Sequence, residues 1–259
     1  MNLSAVLFDV GGTIAESEEV HRQAFNDAFR EFGLAWYWDE AIYRELLLVG
    51  GGKERITYYL KRAWPEMLKQ KNITSYIESV HKIKGEIYED YLNDFKLKAR
   101  PGILRLIKEL KKENIRLAIV SDTTEVNLKN LFKKGLNIDL DECFEVLAHG
   151  GCTIKKKPSP DIYLWALEKL RLPAEACMAI EDAPRGVESA IDAGLGVIVT
   201  PSVYTKNESF KSGELIISDL GEPDQPFKLI KGNNHKQYYV DYNLLKKIHY
   251  DLERKVNKK

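Results

Sequence analysis

Polar side chains that can do chemistry follow short apolar runs at three places in the chain. Asp9, Ser121 and the pair Glu181 and Asp182 each come directly after such a run. In open α/β sheets, ligands bind in the crevice at the carboxyl ends of the strands. We therefore expect these side chains to converge on one site. A carboxylate there serves as a nucleophile or as a ligand of Mg²⁺, which favours a few carboxylates together with water and substrate phosphate.

The turn after Asp9 contains two glycines, Gly11 and Gly12. Glycines in this position leave backbone N–H groups free to approach a phosphate. A polar residue at the end of a strand is common in any protein, so each of these residues taken singly is more typical of an ordinary turn. Their joint occurrence at three strand ends is what favours a phosphate site.

The elements that must position these residues are short apolar strands alternating with helices. The predicted strands are residues 4–9, 115–120, 144–148, 177–180, 196–200 and, as the last, 215–217. The predicted helices between them are residues 103–112, 126–134, 160–170 and 185–193. Repeated β-α units of this kind predict a parallel sheet that is covered by helices on both faces.

A long block without a convincing strand follows the first predicted strand. Apolar residues recur at helical spacing within residues 21–32, 53–68 and 73–92. Because the first strand belongs to the sheet, we predict a helical insertion at residues 16–95. The sheet domain then comprises residues 1–15 and 96–220, and a basic helical tail comprises residues 221–259.

The tail combines positive charge with one apolar face. Residues 228–259 hold nine Lys and Arg against three Asp and Glu, and Leu245, Ile248, Leu252 and Val256 share a helical face. This pattern favours a C-terminal helix that docks on the domain. A solvated basic tail or a helix that binds a partner is the alternative.

Composition narrows the class of protein. The 259 residues are 44% hydrophobic and 30% charged, and 39 basic side chains balance 39 acidic ones, which argues against a general nucleic-acid binder. No apolar run approaches the roughly 18 residues of a membrane span, and no secretory signal is visible at the N-terminus. Cys143, Cys152 and Cys177 form no CxxC pair, which favours a reducing compartment. We expect a cytoplasmic protein without a nucleic-acid or membrane partner.

Four segments resemble, in order and spacing, the motifs of the haloacid dehalogenase (HAD) superfamily. Residues 8–13 resemble its first motif, Asp-x-Asp-Gly-Thr, and Ser121 at a strand end resembles the second. Lys157, followed by Pro-Ser-Pro-Asp-Ile-Tyr, resembles the third, and residues 180–190 resemble the fourth. The stretches 16–25, 51–56 and 100–102 further resemble the CbbY-like sugar-phosphate phosphatases of that superfamily. The resemblance covers about residues 3–220.

The resemblance implies a fold and an activity. The fold would be a Rossmann-like parallel-sheet core of the HAD type with an inserted α-helical cap of the C1 type. The activity would be that of a monomeric phosphatase that hydrolyses phosphomonoesters of small phosphorylated sugars through an aspartyl-phosphate. The CbbY resemblance makes xylulose-1,5-bisphosphate a candidate substrate.

The resemblance also assigns catalytic roles. Asp9 would attack the phosphorus in line, which splits one displacement into two. Ser121 would donate a hydrogen bond to a phosphoryl oxygen. Lys157 would balance the charge of Asp9 and of the transferring group. Lys157 lies in a run of three lysines that is also typical of a solvated surface, and the Pro-x-Pro that follows selects it from the run.

A magnesium ion is implied by the same motifs. Its ligands would be the carboxylate of Asp9, the carbonyl oxygen of Gly11 and the carboxylate of Asp182, with Glu181 close by or bound through water. Mg²⁺ there would neutralise charge between Asp9 and the phosphate.

Substrate contacts are implied at six further positions. They are Gly12, Glu16, His21, Lys53, Arg55 and Asp122. Lys53 and Arg55 offer cationic donors suited to a second phosphate or to sugar hydroxyls. Each of them, taken alone, is also typical of an ordinary surface.

One departure from the motif leaves alternatives open. Phosphatases of this superfamily usually carry an Asp two residues after the nucleophile as general acid and base, and here that position is Gly11. A general acid contributes typically 10²–10⁴-fold in rate. A sugar-phosphate mutase is therefore less favoured, because it must move protons on two hydroxyls in each cycle. The open alternatives are a phosphonate hydrolase with Lys53 as Schiff-base lysine, and a catalytically weak protein that binds metal and ligand.

Overall fold

A computed structural model describes residues 2–94 and 97–256, which contain a seven-stranded sheet of order β3-β2-β1-β4-β5-β6-β7. The strands are β1 (Ala5–Phe8), β2 (Arg116–Val120), β3 (Val146–Ala148), β4 (Cys177–Glu181), β5 (Gly196–Val199), β6 (Leu215–Ile217) and β7 (Leu229–Gly232). Strands β1 to β6 are parallel, and β7 is antiparallel to β6. The predicted parallel α/β fold is confirmed.

The helices are, in chain order, α1 (Glu18–Glu31), α2 (Glu40–Leu46), α3 (Gly52–Ala63), α4 (Ile73–Asp94), α5 (Ile103–Lys112), α6 (Glu125–Asn130), α7 (Leu140–Cys143), α8 (Asp161–Leu170), α9 (Pro184–Asp192) and α10 (Tyr242–Val256). A π-helical stretch, Leu131–Leu136, continues α6. None of the described helices is both long and apolar enough to cross a membrane.

The centre of the sheet sets the position of the polar residues. Strand β1 lies between β2 and β4, and Phe8 is in register with both Ile119 and Ile180. All residues of β1 and β4 are buried, as expected for parallel strands covered on both faces. The residues that follow Phe8, Ile119 and Ile180 therefore leave the sheet at one common edge.

Contacts between Cα atoms divide the described residues into two compact units. The first unit comprises the described residues within Met1–Glu16, Lys98–Ser121 and Asp139–Lys259, and it contains the sheet. The second comprises those within Ser17–Leu97 and Asp122–Ile138, and it is helical.

The predicted end of the sheet is wrong. Strand β6 is not the last strand, because β7 pairs with it in antiparallel register. Every residue of β7 is exposed, so this strand shows neither a buried apolar run nor an alternation of apolar and polar residues. The C-terminal helix docks as predicted, since Leu244, Leu245 and Ile248 of α10 are buried. The side chain of Val256 lies outside the described residues.

An aromatic cluster forms the core of the second unit. The ring of Trp38 lies 4.7 Å from that of Phe25 and 4.8 Å from that of Phe29, measured between centroids. The buried amide of Asn26 on α1 donates to the Trp38 carbonyl at 2.9 Å and accepts from the Trp38 N–H at 2.7 Å. One polar side chain therefore anchors the peptide that carries the largest ring of the cluster.

Replacing Asn26 by Ala should destabilise the second unit by about 1–3 kcal/mol, because the buried N–H of Trp38 loses its acceptor. Urea unfolding followed by tryptophan fluorescence measures this change. Asn93→Ala removes an exposed asparagine from α4 and is the matched control. Equal unfolding free energies for the two variants would show that the Asn26 pair contributes nothing.

Candidate active site

Lys157 connects three strand ends in the first unit. Its Nζ donates to Asp9 Oδ1 at 2.8 Å, to Glu181 Oε1 at 2.6 Å and to the carbonyl oxygen of Val120 at 2.9 Å. These acceptors use all three donors of the ammonium group. Only 3% of Lys157 is exposed, whereas Lys155 is exposed. The lysine selected by its following Pro-x-Pro is therefore the one directed into the sheet edge.

Asp9 is largely buried at the end of β1. Its N–H donates to the Ile180 carbonyl at 3.0 Å, and its Oδ2 accepts from Thr13 Oγ1 at 3.0 Å. Burial, together with the nearby charge of Glu181, raises the pKa of the Asp9 carboxyl from 3.8 to about 7 against the opposing effect of Lys157. Any cation that binds beside this carboxyl favours its ionised form.

Glu181 is held by two donors on one oxygen. Its Oε1 accepts from the Tyr163 hydroxyl at 2.6 Å as well as from Lys157. Gly186 on α9 leaves the space for this carboxylate, because a Cβ at that position would lie 2.2 Å from Glu181 Oε2. Sequence reasoning missed the role of Tyr163, although this residue ends the motif that begins at Lys157.

Asp182 follows Glu181 and is 4% exposed. Its Oδ2 accepts from Thr205 Oγ1 at 3.2 Å. Burial and the neighbouring Asp9 and Glu181 charges raise the pKa of Asp182 well above 3.8. Gly12, with φ of +88°, faces this group, and a Cβ on Gly12 would lie 2.2 Å from Asp182 Oδ2. The turn after Asp9 and the end of β4 therefore fit together only with glycine at this position.

The donor set suits a divalent metal. Asp9, Glu181 and Asp182 each offer a carboxylate oxygen, and these oxygens lie within 4.8 Å of one another. Burial and the neighbouring negative charges raise the pKa values of Asp9 and Asp182. Hard oxygen ligands of this kind are those that Mg²⁺ prefers. The residues present therefore fit the magnesium site implied by the motifs.

Three further predicted residues of the first unit lie at this edge or beside it. Ser121 is buried at the end of β2, where its N–H donates to the Ala148 carbonyl at 2.9 Å. Glu16 is partly exposed, and the N–H of Val203 donates to both of its carboxylate oxygens at 3.3 Å. Gly11 lies in the turn between Asp9 and Gly12 and pairs with Ala15 in an isolated bridge.

The remaining predicted residues belong to the second unit. His21 stacks on Tyr88 at 3.9 Å between ring centroids, and its Nδ1 lies 2.6 Å from Lys84 Nζ. Burial and the charge of Lys84 lower the pKa of His21 well below 6.5. Burial likewise lowers the pKa of Lys84 to about 7. Sequence reasoning did not single out Lys84, because the pattern of residues 73–92 indicated only the apolar spacing of a helix. Asp122 begins the second segment of this unit, directly after Ser121.

The two predicted cations of α3 differ in environment. Arg55 is 8% exposed and donates to the Val49 carbonyl at 3.0 Å and to the Tyr43 hydroxyl at 3.2 Å. The side chain of Lys53 is half exposed, and its Nζ lies 3.7 Å from Glu78 Oε1. Arg55 is thus committed to contacts within its own unit, while Lys53 is accessible to solvent.

Comparisons with known proteins show the family to which the chain is related. The family profile of haloacid dehalogenase-like hydrolases matches residues 3–194. The chain is 39% identical over 249 residues to the plasmid-encoded protein CbbY of Cupriavidus necator, which covers 96% of this chain and 97% of that protein. The crystal structure of CbbY from Rhodobacter sphaeroides in complex with phosphate has 38% identity and a TM-score of 0.77, covering 84% of this chain and 94% of that one.

A mutant of the same Rhodobacter protein has been crystallised with xylulose-(1,5)bisphosphate and superposes with a TM-score of 0.77 at 38% identity, with the same coverage. The family match spans the sheet strands β1 to β4 and all the residues of the carboxylate cluster. The chain therefore belongs to the haloacid dehalogenase-like hydrolases.

Proposed function

We propose that this hydrolase is a Mg²⁺-dependent phosphomonoesterase for small phosphorylated sugars and works through an aspartyl-phosphate. The observation that carries the proposal is the cluster of Asp9, Lys157, Glu181 and Asp182, in which a buried lysine bonds a carboxylate nucleophile and a second carboxylate. A phosphate dianion and an anionic nucleophile repel each other. Buried positive charge beside Asp9 is what such a reaction requires from the protein.

The chain's own residues account for the two displacements. A carboxylate oxygen of Asp9 attacks the phosphorus, and the bond from phosphorus to the sugar oxygen breaks. Water then attacks the phosphorus of the aspartyl-phosphate, so that inorganic phosphate leaves and the Asp9 carboxylate returns. Lys157 holds Asp9 Oδ1 and Thr13 holds Oδ2, which orients the carboxylate throughout.

Three further groups support this chemistry. Ser121 donates a hydrogen bond to a phosphoryl oxygen, as the second motif implies. Glu181, which the Tyr163 hydroxyl holds, accepts from the ammonium of Lys157 and keeps it beside Asp9. Mg²⁺, bound by Asp9, Asp182 and the Gly11 carbonyl with Glu181 nearby, would neutralise charge on the transferring phosphoryl group.

The substrate class is proposed from the relatives and from Lys53. The Rhodobacter CbbY structure holds a ketose bisphosphate, xylulose-(1,5)bisphosphate. A bisphosphate has a second anionic group, and Lys53, which matches a substrate-contact position of CbbY-like proteins, offers a solvent-accessible cation. We therefore propose a sugar bisphosphate, with xylulose-1,5-bisphosphate as the first candidate. Gly12, Glu16, His21, Arg55 and Asp122 remain proposed substrate contacts.

A phosphonate hydrolase is less well supported. Schiff-base catalysis needs a lysine whose amine is desolvated or otherwise driven towards its neutral form. Lys53, the lysine considered for that role, is half exposed and lies near the carboxylate of Glu78. Lys53 therefore lacks the desolvated environment that such a lysine needs.

Compartment, assembly and domain roles complete the proposal. We assign substrate selection to the second unit, as the cap of a C1-type enzyme. The described cysteines, Cys143, Cys152 and Cys177, are free thiols, which supports a reducing compartment such as the cytoplasm. A monomeric state is proposed on the resemblance alone.

Asp9→Asn should remove phosphate release from every substrate in a panel of sugar monophosphates and bisphosphates assayed with and without Mg²⁺. The amide is not a nucleophile for phosphorus, and formation of a beryllium-fluoride adduct should likewise require both Asp9 and Mg²⁺. Asp90→Asn, on the exposed surface of α4, is the control for the charge change. Release near the wild-type rate in Asp9→Asn would overturn the proposed chemistry.

Lys53→Ala should raise KM for a sugar bisphosphate by about 10-fold or more, because a charged hydrogen bond to the second phosphate contributes roughly 1.5–3 kcal/mol. KM for an aryl phosphate should stay unchanged, since that substrate offers nothing to a remote cation. Lys61→Ala removes another exposed lysine of α3 and is the matched control. Parallel changes for both substrates would assign Lys53 a role in folding only.

Gly11→Asp tests what the missing acid costs. Gly11 does not share the positive φ of Gly12, so an L-residue fits its backbone. A sugar alkoxide is a poor leaving group that needs a proton as its bond breaks, whereas a nitrophenolate does not. The substitution should therefore raise sugar-phosphate turnover by up to about 10²-fold with little effect on aryl phosphates.

The measurement is a plot of rate against leaving-group pKa for the wild type, for Gly11→Asp and for Gly11→Asn. The Asn variant has the size of Asp without its acidity, and it should keep the steep negative slope of the wild type. A flat slope in the wild type would mean that another group already supplies the proton.

A further inference from the structure

Arg100 is a mostly buried arginine of the first unit that the proposed mechanism does not use. Its side chain is 9% exposed. Its N–H donates to the Ile14 carbonyl at 2.8 Å, and the preceding Ala99 pairs with Ala15 in an antiparallel bridge. The backbone of Arg100 therefore runs beside the segment that follows the Asp9 turn.

Both terminal nitrogens of the Arg100 guanidinium donate hydrogen bonds. Nη1 donates to the carbonyl oxygens of Gly12 and, at 2.7 Å, Thr200, and to Thr200 Oγ1 at 3.3 Å. Nη2 donates to the carbonyl oxygens of Pro201 at 2.9 Å and Ser218 at 2.8 Å, and Nε forms an ion pair with Glu16 Oε1 at 3.3 Å. Four of these acceptors are main-chain carbonyls, so the group fixes backbone more than side chains. A planar fork of five donors is a property of arginine, since lysine has three donors and no plane.

The backbone segments that Arg100 joins border the same carboxylate. Gly12 lies so close to Asp182 that a Cβ there would be 2.2 Å from Oδ2 and 2.9 Å from the Cβ of Ser202. Thr200 and Pro201 directly precede Ser202, whose N–H donates to Thr205 Oγ1 at 2.8 Å. Thr205 in turn bonds both the carbonyl and the side chain of Asp182. Arg100 thus joins two backbone segments that both lie beside Asp182.

We propose that Arg100 is a positioning residue for the metal site, because its guanidinium fork holds the carbonyls of Gly12, Thr200 and Pro201, in two backbone segments that lie beside Asp182. The inference rests on the proposed Mg²⁺ site and adds the residue that sets its geometry. Positive charge alone cannot give this effect, since a cation near Asp182 repels a second cation. A fixed backbone can position Asp182 and the Gly12 turn, because metal ligands must be held at set distances.

The test compares Mn²⁺ binding by the full-length wild type and by Arg100→Lys. Electron paramagnetic resonance of the free ion measures how much Mn²⁺ each protein binds. The Lys variant keeps the charge and loses the fork. Loss of an outer partner of a metal site typically costs 10–100-fold in affinity, and we expect Mn²⁺ binding to weaken by about that factor. Arg105→Lys is the matched control, since Arg105 bonds Glu222 and the Gly221 carbonyl of the same unit and should keep wild-type affinity.

Thermal melting of both variants separates folding from positioning. Similar melting temperatures with weakened Mn²⁺ binding only in Arg100→Lys support the proposal, and wild-type affinity in a folded Arg100→Lys overturns it. Absence of Mn²⁺ binding in the wild type overturns the metal site itself and the proposal with it.

A second variant applies where Arg100→Lys melts below the assay temperature. Glu16→Gln removes the one anionic partner and keeps the four carbonyl contacts, so affinity should stay within about twofold of the wild type. A larger loss there would show that the ion pair, rather than the carbonyl fork, maintains the site, which contradicts the proposal.

Discussion

Three carboxylates packed at the buried edge of a parallel sheet are the constraint on which the rest of this structure depends. Asp9, Glu181 and Asp182 lie within 4.8 Å of one another, and burial raises the cost of each charge. Lys157 compensates for part of that charge through its bonds to Asp9 and Glu181. The remaining negative charge would favour the binding of a divalent cation, so the feature that destabilises the folded chain is also the one on which the proposed chemistry depends.

Packing around the cluster follows from that constraint. Each carboxylate must keep a single orientation, because a rotated one would bring like charges together. Tyr163 holds Glu181, Thr13 holds Asp9 and Thr205 holds Asp182, each through a hydroxyl donor. Two close approaches are possible only without a Cβ, at Gly12 and at Gly186. The glycines and hydroxyl residues in these motifs therefore orient the buried carboxylates as well as forming backbone turns.

Much of this arrangement is predictable from the sequence. The features that are not predictable have no local pattern of residue types. Strand ends and local motifs are visible along the chain, so Asp9, Lys157, Glu181 and Asp182 can be placed together before the structure is known. Arg100 cannot, because its acceptors lie up to 118 residues away and are main-chain carbonyls, which carry no residue identity. Strand β7 escapes prediction because pairing at an exposed edge needs no apolar pattern.

The proposed mechanism separates the electrostatic part of phosphoryl transfer from its proton transfers. Lys157 and a metal at the carboxylates would act on charge, and they would lower the barrier for any leaving group that departs as an anion. Gly11 supplies no proton to a departing alkoxide and accepts none from the attacking water. Both half-reactions are affected, since hydrolysis of an aspartyl-phosphate gains from a base as its formation gains from an acid. If no other group takes the place of the acid that Gly11 lacks, the proposed aspartyl-phosphate would therefore persist longest when water is its only acceptor.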